Sequence, residues 1–183
     1  MTRAPTDLGA TLTFRPARAD ELGLILALDE DATLLYLQAG LDVSLPRSHP
    51  YGQYEERRWA ADAAAGRVTF AVLDGEVAGF TACHFVDGAP YLDQLSVWRR
   101  LGGRGIGRAL LDRVLAWAAP LGPLWLTTYD HPGVPWNRPM YERRGFTVVP
   151  EAAWGPEMRA VIAGQREALP APEARVVMCR SGA

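Results

Sequence analysis

The segment from Leu95 to Leu111 constrains the fold of this chain more than any other part. It reads Leu-Ser-Val-Trp-Arg-Arg-Leu-Gly-Gly-Arg-Gly-Ile-Gly-Arg-Ala-Leu-Leu, so an alternating apolar strand passes through a glycine-dense turn into an amphipathic helix. Glycines at positions 102, 103, 105 and 107 let the backbone bend and come close to a ligand. The free N–H groups and positive dipole end of the following helix attract phosphate. The segment is therefore predicted to bind an anion.

Two common phosphate-binding loops do not fit this spacing. A P-loop needs Lys and then Ser or Thr directly after its last glycine, whereas Gly107 is followed by arginine and alanine, and the chain has no lysine. A Rossmann fingerprint needs a third glycine three places after the second. If Gly103 or Gly105 is taken as the first glycine, that third place holds arginine or leucine. Both alternatives therefore fail.

The spacing is instead similar to the acetyl-CoA-binding motif of the GNAT acetyltransferase superfamily, where a strand leads into Gln/Arg-x-x-Gly-x-Gly/Ala and a helix. Gly105, Ile106 and Gly107 match the Gly-x-Gly core of that motif. Gly102 departs from it, because the family usually has Gln or Arg at this position. Backbone amides hold most of the pyrophosphate in the family, so we expect weaker cofactor affinity but the same binding mechanism.

A second motif lies about 35 residues further along the chain. The sequence Tyr-Glu-Arg-Arg-Gly-Phe from Tyr141 to Phe146 resembles the Tyr-x-x-x-Gly-Phe signature near the end of GNAT domains. Residues 134–141 resemble those of one bacterial subgroup of the superfamily. Both motifs occur in the expected order, and the resemblance covers roughly residues 11–149. It implies a GNAT fold and an acetyl-CoA-dependent N-acetyltransferase.

Local patterns predict a mixed α/β architecture. Asp-Gly pairs at 74–75 and 87–88 are hairpin signals, so three strands form an antiparallel meander, and a later strand-helix-strand crossover favours parallel pairing. The predicted strands are residues 11–17, 67–73, 76–86, 90–97, 124–128, 146–149 and 174–179. The predicted helices are residues 20–40, 54–65, 105–119, 137–144 and 156–168, the first with Asp20 as its N-cap. The order β-α-α-β-β-β-α-β-α-β, with an extra late helix before the last strand, is the GNAT order in one domain, residues 1–183.

The composition narrows the class of protein. A chain of 183 residues with 49% hydrophobic and 22% charged residues is typical of one soluble globular domain. The net charge of −2 gives no electrostatic reason to expect nucleic acid or an anionic membrane as a partner. The first ten residues lack a signal-peptide core and no apolar run is long enough to span a bilayer, so we expect a cytoplasmic protein.

The two cysteines, Cys83 and Cys179, each lie in an apolar, strand-like segment. We expect both to be reduced core residues rather than partners in a disulfide. His, Cys and carboxylate residues show no metal-ligand spacing, so no metal cofactor is expected.

The resemblance also implies which residues bind acetyl-CoA. Backbone groups of the fourth strand would hold the pantetheine arm and the acetyl carbonyl, and the glycine turn would bind the pyrophosphate. Arg104 and Arg108 are the better candidates for phosphate contacts among the arginines of this turn. The cofactor-binding residues expected on this basis are Leu95, Ser96, Val97, Arg100, Gly102, Gly103, Arg104, Gly105, Ile106, Gly107, Arg108 and Asn137. Asn137 has a helix-capping role as its alternative.

Acetyl transfer to an amine needs a base for the amine and a proton for the departing thiolate. Tyr141 aligns with the family tyrosine often assigned as general acid, and a phenol is protonated at pH 7. Packing of its helix is the alternative role. Asp93 is the candidate base, because it shares strand parity with Leu95 and Val97 and because Asp is disfavoured inside strands. A structural ion pair at Asp93, or a water chain as base, is the alternative.

The acceptor is expected to be the amine of a small molecule. The acidic run Asp29-Glu30-Asp31 would attract a cationic amine, with Glu30 as the residue to test, although a solvated helix face is the alternative. His84 is a second candidate, although its apolar strand face is also typical of a core histidine. A catalytically silent acyl-CoA-binding module and a protein or peptide N-acetyltransferase are the rival functions.

The last predicted strand, residues 174–179, is apolar and terminal. Strands in that position are often exchanged or paired between subunits in the family. A homodimer is therefore a further hypothesis.

Overall fold

One seven-stranded sheet organises the protein, whose computed structural model describes residues 11–181. The strands are β1 (Leu12–Pro16), β2 (Val68–Leu73), β3 (Glu76–Val86), β4 (Ala89–Val97), β5 (Leu124–Tyr129), β6 (Thr147–Val148) and β7 (Arg175–Arg180). Their spatial order is β1-β2-β3-β4-β5-β7-β6. Neighbouring strands are antiparallel except β4 and β5, which are parallel. This mixed sheet confirms the predicted α/β class.

Within the described residues, five α-helices cover the two faces of the sheet. They are α1 (Leu22–Gln38), α2 (Pro50–Ala64), α3 (Ile106–Ala118), α4 (Arg138–Glu142) and α5 (Pro156–Ala168). α1 and α2 bury Ile25 and Trp59 against Phe80 on one face. α3 buries Leu111 against Leu126 on the other face. The apolar core therefore lies in two layers, one on each side of the sheet.

Strands β4 and β5 pair over two residues and then diverge. Tyr91 lies opposite Trp125 and Leu92 lies opposite Leu126, and these are the only pairs between the two strands in the described part of the chain. Parallel neighbours normally continue their hydrogen bonds along both strands. The early end of this ladder leaves a gap between the carboxyl-terminal halves of β4 and β5.

A β-bulge at Asp93 lies where the strands diverge. Residues 83 and 82 of β3 lie opposite Leu92 and Gln94, so Asp93 is an extra residue in β4. The extra residue interrupts the alternation of side chains. Asp93 therefore points to α2 on the face that Gln94 also uses, whereas Leu95 packs on the α3 face. The strand parity expected for Asp93 is wrong for this reason.

Beyond the bulge, the main chain of β4 has an unpaired edge. The N–H of Trp98 donates to the carbonyl of Ala78 at 3.0 Å, which places Trp98 in a hydrogen-bonded pair with β3. Such groups alternate along an antiparallel strand, so the backbone groups of Leu95 and Val97 face away from β3 and toward the gap. These donors and acceptors are available to a ligand.

The predicted order of elements is confirmed, with differences at two helix starts. α2 begins at Pro50, one turn earlier than predicted, because the His49 side chain caps its first turn and proline is tolerated there. Asp20 is not the N-cap of α1, because a 3₁₀ turn precedes that helix. The carboxylate of Glu21, at the end of this turn, accepts the N–H of Arg18 at 2.9 Å.

β7 is an interior strand of the sheet. β5 pairs with it along six residues, and β6 pairs with it on the opposite side through Thr147 and Val148. Contrary to the expectation from its terminal position, β7 is therefore not an edge strand among the described residues, although β6 covers only its part at Met178 and Cys179.

Cys83 and Cys179 are free thiols. Burial raises the pKa of Cys179 to about 11 and the pKa of Cys83 further, so both are neutral at pH 7. Among residues 11–181, no group of three or more His, Cys, Asp or Glu side chains is arranged to hold a metal ion. None of the helices in this range has the length and apolar character needed to cross a membrane.

Gly79 provides a test of how closely β3 and β4 are packed. A Cβ atom at this position would lie 2.6 Å from Ser96 O and 3.2 Å from Leu110 Cδ1. We expect Gly79→Ala to lower the free energy of unfolding by about 1–3 kcal/mol, since a backbone oxygen must move. Urea unfolding measures this loss. In the control Gly23→Ala the added Cβ meets no atom within 4 Å, and alanine favours a helix, so no loss is expected. An equal loss in both variants would contradict the packing argument.

Candidate active site

A cleft of about 310 Å³ opens where β4 and β5 diverge. Helices α1, α2, α4 and α5 and the start of β7 form its other walls. Its polar lining side chains are those of Asp29, Thr33, Tyr36, Tyr51, Glu55, Asp93, Gln94, Ser96, Arg99, Thr127, Thr128, Tyr129, Asn137, Tyr141, Gln165 and Arg175. The volume and this lining fit a small polar molecule.

The glycine turn between β4 and α3 presents a row of free N–H groups. Gly103 and Gly105 adopt φ angles of 74° and 84°, a region that favours glycine. The first main-chain bond into α3 joins the N–H of Ala109 to Gly105 O at 3.0 Å. In the part of the chain that the structure describes, the N–H groups of residues 103–108 have no acceptor. Six such donors at the positive end of a helix form an anion site.

The arginines around this turn differ in their partners. Asp31 accepts the backbone N–H of Arg99 at 2.7 Å and its Nε at 3.1 Å, so Arg99 is engaged within the protein. Arg100 is exposed and lies 3.6 Å from a carboxylate oxygen of β3. Within residues 11–181, no ion pair involves Arg104 or Arg108. These two residues stay the candidates for phosphate contact.

The acidic residues of α1 do not point in one direction. Asp29 lines the cleft, where its carboxylate accepts hydrogen bonds from the Gln94 amide and, at 3.3 Å, from the Ser96 hydroxyl. Glu30 points away from the cleft, with 62% of its side chain exposed, and pairs with Arg47. The acidic residue of α1 that lines the cleft is therefore Asp29, and the structure does not bring Glu30 into the cleft.

The position of Asp29 changes its pKa. Burial raises the pKa of Asp29 to about 6, although the hydrogen bonds from Gln94 and Ser96 act in the opposite direction.

Ser96 is buried, and its hydroxyl faces α1 rather than the glycine turn. Of the β4 residues expected to contact acetyl-CoA, Leu95 and Val97 are those whose main chain faces the gap.

Asp93 is held in an ion pair. Its Oδ2 accepts from Arg58 Nη2 at 2.6 Å, from Arg58 Nε at 3.0 Å and from Trp59 Nε1 at 2.6 Å. The side chain of Asp93 is only 3% exposed. Three donors on one oxygen hold the carboxylate in place and attach α2 to the bulge of β4. The geometry therefore supports the structural alternative for Asp93.

Glu55 lines the same wall of the cleft and is a residue that the sequence analysis missed. Its Oε1 lies 3.8 Å from Arg58 Nη2, beyond hydrogen-bonding distance. Burial raises the pKa of Glu55 to about 8, and the charge of Asp93 adds to the shift. A carboxyl with this pKa can exchange a proton near neutral pH.

His84 lies outside the cleft. Its Nδ1 is 3.4 Å from Asp62 Oδ2, and its ring centroid is 5.0 Å from that of Tyr91. It faces a separate groove between α2 and α5. The structure does not bring His84 to the acceptor side, and its surroundings fit the alternative role as a core histidine.

Tyr141 lines the cleft from α4. Its ring packs edge-on against Phe146, with centroids 5.7 Å apart. Burial raises the pKa of Tyr141 above its usual value of 10, although the nearby charge of Arg175 acts in the opposite direction. The phenol is therefore protonated at neutral pH and can donate to a group in the cleft.

Asn137 precedes α4, but its side chain does not cap that helix. The amide instead meets the hydroxyl of Tyr36, whose Oη lies 2.9 Å from Nδ2 and 3.1 Å from Oδ1. Tyr36 also packs against Trp136, with ring centroids 6.1 Å apart. The helix-cap alternative for Asn137 is thus excluded, and its side chain helps to hold Tyr36 in the cleft wall.

Arg175, at the start of β7, is a second cleft residue that the sequence analysis missed. Its Nη2 donates to Gln165 Oε1 at 2.6 Å and to Thr127 Oγ1 at 3.0 Å. The guanidinium carbon lies 4.6 Å from the centroid of the Tyr129 ring. The signal available in the sequence is a charged residue that starts an otherwise apolar strand.

A model of the acetyltransferase (GNAT) family matches residues 33–146. The chain belongs to the GNAT acetyltransferase family. The matched range includes the glycine turn, Tyr141 and most of the cleft-lining residues, but it ends before α5 and β7. The walls that those last elements form therefore lie outside the matched range.

Solved GNAT structures share this fold. PaiA N-acetyltransferase from Thermoplasma acidophilum, in complex with coenzyme A, has a TM-score of 0.65 at 15% identity and covers 93% of this chain and 99% of its own. N-acetylglutamate synthase from Neisseria gonorrhoeae, complexed with coenzyme A and N-acetyl-glutamate, has a TM-score of 0.64 at 19% identity over 93% of this chain. This GNAT chain spans 35% of the length of that synthase.

A third GNAT structure, the ribosomal-protein-S18-alanine N-acetyltransferase from Escherichia coli, has a TM-score of 0.62 at 16% identity. The alignment covers 93% of this chain and 94% of that one. The synthase and the S18-alanine acetyltransferase are named for different acceptors, and sequence identities of 15–19% establish the shared fold only. The acceptor of this GNAT protein therefore has to be inferred from its own residues.

Asp29→Asn tests the burial of the cleft carboxyl. A carboxyl with a pKa of 3.8 in the unfolded chain and about 6 in the folded protein destabilises the fold as pH rises between these values. Relative to the native protein, Asp29→Asn should therefore gain on the order of 2 kcal/mol of unfolding free energy between pH 4 and pH 7. Urea unfolding at both pH values measures the gain. Glu30→Gln is the control outside the cleft, and an equal gain in that variant would refute the assignment.

Proposed function

We propose that this GNAT protein transfers the acetyl group of acetyl-CoA to the amine of a small molecule. The main support for this proposal is the row of free N–H groups at residues 103–108, beside a cleft that contains Tyr141 and three carboxylates. The first feature suits a pyrophosphate and the second suits a cationic amine. The presence of coenzyme A in two of the related GNAT structures supports the choice of donor.

The residues at the gap fit acetyl-CoA, whose thioester supplies an activated acetyl group. The N–H groups of residues 103–108 would bind the pyrophosphate, and Arg104 and Arg108 would pair with phosphate charges. The main-chain groups of Leu95 and Val97 that face the gap would hydrogen-bond the pantetheine arm and the acetyl carbonyl. A main-chain N–H aimed at that carbonyl stabilises the negative charge that develops on its oxygen.

Tyr141 would act as general acid. When the amine nitrogen attacks the acetyl carbon, the carbon–sulfur bond breaks and the thiolate needs a proton. The phenol of Tyr141 lines the cleft and holds its proton at neutral pH, because burial raises its pKa. The edge-on contact with Phe146 fixes the ring, so the packing role and the catalytic role are compatible.

Glu55 would accept the proton of the amine, in place of the base first expected at Asp93. The Asp93 oxygen that faces Arg58 and Trp59 already accepts three hydrogen bonds. Asp93 instead contributes a negative charge that, together with burial, raises the pKa of Glu55 to about 8. A base whose pKa lies near the working pH is the most effective proton acceptor.

We further propose that the chain acts as a single domain in the cytoplasm and belongs to the bacterial subgroup that shares the motif at residues 134–141. A homodimer is a separate hypothesis, which sedimentation at micromolar concentration tests. The rival function is a catalytically silent acyl-CoA-binding module.

Thiol release from acetyl-CoA, measured across amines, amino acids and peptides, tests the proposed function. We expect release with one acceptor class, and we expect Tyr141→Phe to lower kcat at least tenfold because the general acid is lost. Tyr54→Phe is the matched control, since Tyr54 is exposed and lies outside the cleft. If no acceptor supports release while acetyl-CoA still raises the melting temperature, the protein is the silent module instead.

The pH dependence of kcat tests Glu55. A base must be deprotonated, so kcat should rise with pH through an apparent pKa of about 8. Glu55→Gln should lower kcat at least tenfold and remove this limb of the profile. Glu56→Gln, the exposed neighbour, should leave both unchanged. An unaltered pH profile in Glu55→Gln would show that a water chain takes the proton.

A further inference from the structure

Arg175 is a buried cation that lines the cleft without a carboxylate partner. The residue is only 8% exposed. Among residues 11–181 no acidic side chain pairs with it, and its buried Nε has no hydrogen-bond acceptor. Arg99, which also lines the cleft, differs because Asp31 neutralises it. A buried guanidinium is stable only when an anion or a full set of acceptors compensates for lost hydration.

The surroundings of Arg175 hold its guanidinium in place without neutralising it. Gln165 and Thr127 supply neutral oxygens to Nη2, and the Tyr129 ring lies against the guanidinium plane. The hydroxyl of Tyr129 donates to Pro170 O at 2.8 Å, which fixes that ring in turn. The remaining N–H groups, on Nε and Nη1, have no acceptor in the described part of the chain. A fixed fork with free N–H groups is the geometry that binds a carboxylate.

The wall of the cleft that α1, α2 and β4 form has the opposite charge. Asp29, Glu55 and Asp93 line it, and among residues 11–181 Arg58 is the one arginine that lies within 4 Å of any of these carboxylates. Burial raises the pKa of the Tyr36 hydroxyl. The charge of Asp29 adds to this rise and the charge of Arg175 opposes it, so both charges act on the same hydroxyl in the cleft wall. The cleft therefore has an acidic side and a cationic side that one small molecule can span.

We infer that the acceptor amine carries a carboxylate group, which Arg175 binds while the amine lies toward Asp29 and Glu55. The inference rests on the proposed acetyltransferase function and narrows its acceptor to amino acids and similar zwitterions. Each charge of such a molecule meets its complement, and the free N–H groups of Arg175 gain their missing acceptors.

A carboxylate fits this site better than a phosphate. Arg175 supplies a single positive charge, and its direct neighbours, Gln165 and Thr127, are neutral. A phosphate monoester brings close to two negative charges at pH 7, which the acidic wall would repel. The charges of the cleft therefore favour a monoanion.

The first experiment measures thiol release from acetyl-CoA with the twenty amino acids and the corresponding amino-acid amides, using the full chain. We expect the best acceptor to carry a free carboxylate and to lose at least tenfold in kcat/KM on amidation. Arg175→Gln should remove this difference by lowering only the rate of the carboxylated acceptor. Arg175→Lys should retain part of it, because the charge stays and the fork is lost. If Arg175→Gln does not fold, a reduced preference for the carboxylated acceptor in Arg175→Lys tests the inference instead.

Arg166→Gln is the matched control. Arg166 also has a buried Nε without an acceptor, but it packs over Trp154, does not line the cleft, and contacts Arg175 only at its main-chain oxygen, 3.4 Å from Arg166 Nη2. This variant should keep the full preference for the carboxylated acceptor. Acceptors that are acetylated equally well as amides would overturn the inference and leave the acetyltransferase function standing.

A binding measurement decides the case in which no amine is acetylated. The melting temperature of the native chain with coenzyme A is then measured in propionate and in propionamide. A larger rise with propionate that is absent in Arg175→Gln would support the carboxylate site although the proposed function had failed. Equal effects of the two probes would overturn the inference as well.

Discussion

The divergence of β4 from β5 at the Asp93 bulge is the constraint on which the rest of the site depends. One extra residue in β4 turns the Asp93 carboxylate to α2, where Arg58 and Trp59 bind it and fix that helix to the sheet. The same change ends the parallel ladder after two pairs. An interrupted ladder leaves main-chain donors and acceptors unpaired, which a protein interior tolerates only where a ligand or water can bind them. The cleft is thus a consequence of strand register.

The charges of the cleft are arranged at a cost to the fold. Burial raises the pKa of Asp29 to about 6 and that of Glu55 to about 8, so each of these carboxylates disfavours the folded state when it ionises. Arg175 is buried without a counter-charge among the described residues. The fold would be more stable with apolar or neutral side chains in place of these three residues. Their presence in one cavity is what distinguishes a ligand site from the two apolar layers of the core.

The sequence was sufficient for the architecture because its signals are local. Asp-Gly turns, glycine spacing and helical periodicity each depend on a few neighbouring residues, and the order of elements follows from them. The face that Asp93 occupies was predicted wrongly because a bulge depends on the pairing of two strands, which alternation in one strand does not reveal. An acidic run such as residues 29–31 does not show which carboxylate faces a cleft, because neighbours on a helix differ by about 100° in direction, and the structure places Asp29 rather than Glu30 there.

The two halves of the cleft differ in how their chemistry is encoded. The proposed donor side uses main-chain groups at residues 95–108, so it requires a particular backbone shape, and the glycine spacing indicates that shape within one short segment. The proposed acceptor side uses side chains from α1, α2 and β7, such as Asp29, Glu55 and Arg175, which only the fold brings to one cleft. No short motif can record contacts between residues so far apart in the chain. A family resemblance in such a protein therefore supports a choice of donor, whereas the acceptor has to be inferred from the charges that line the cleft.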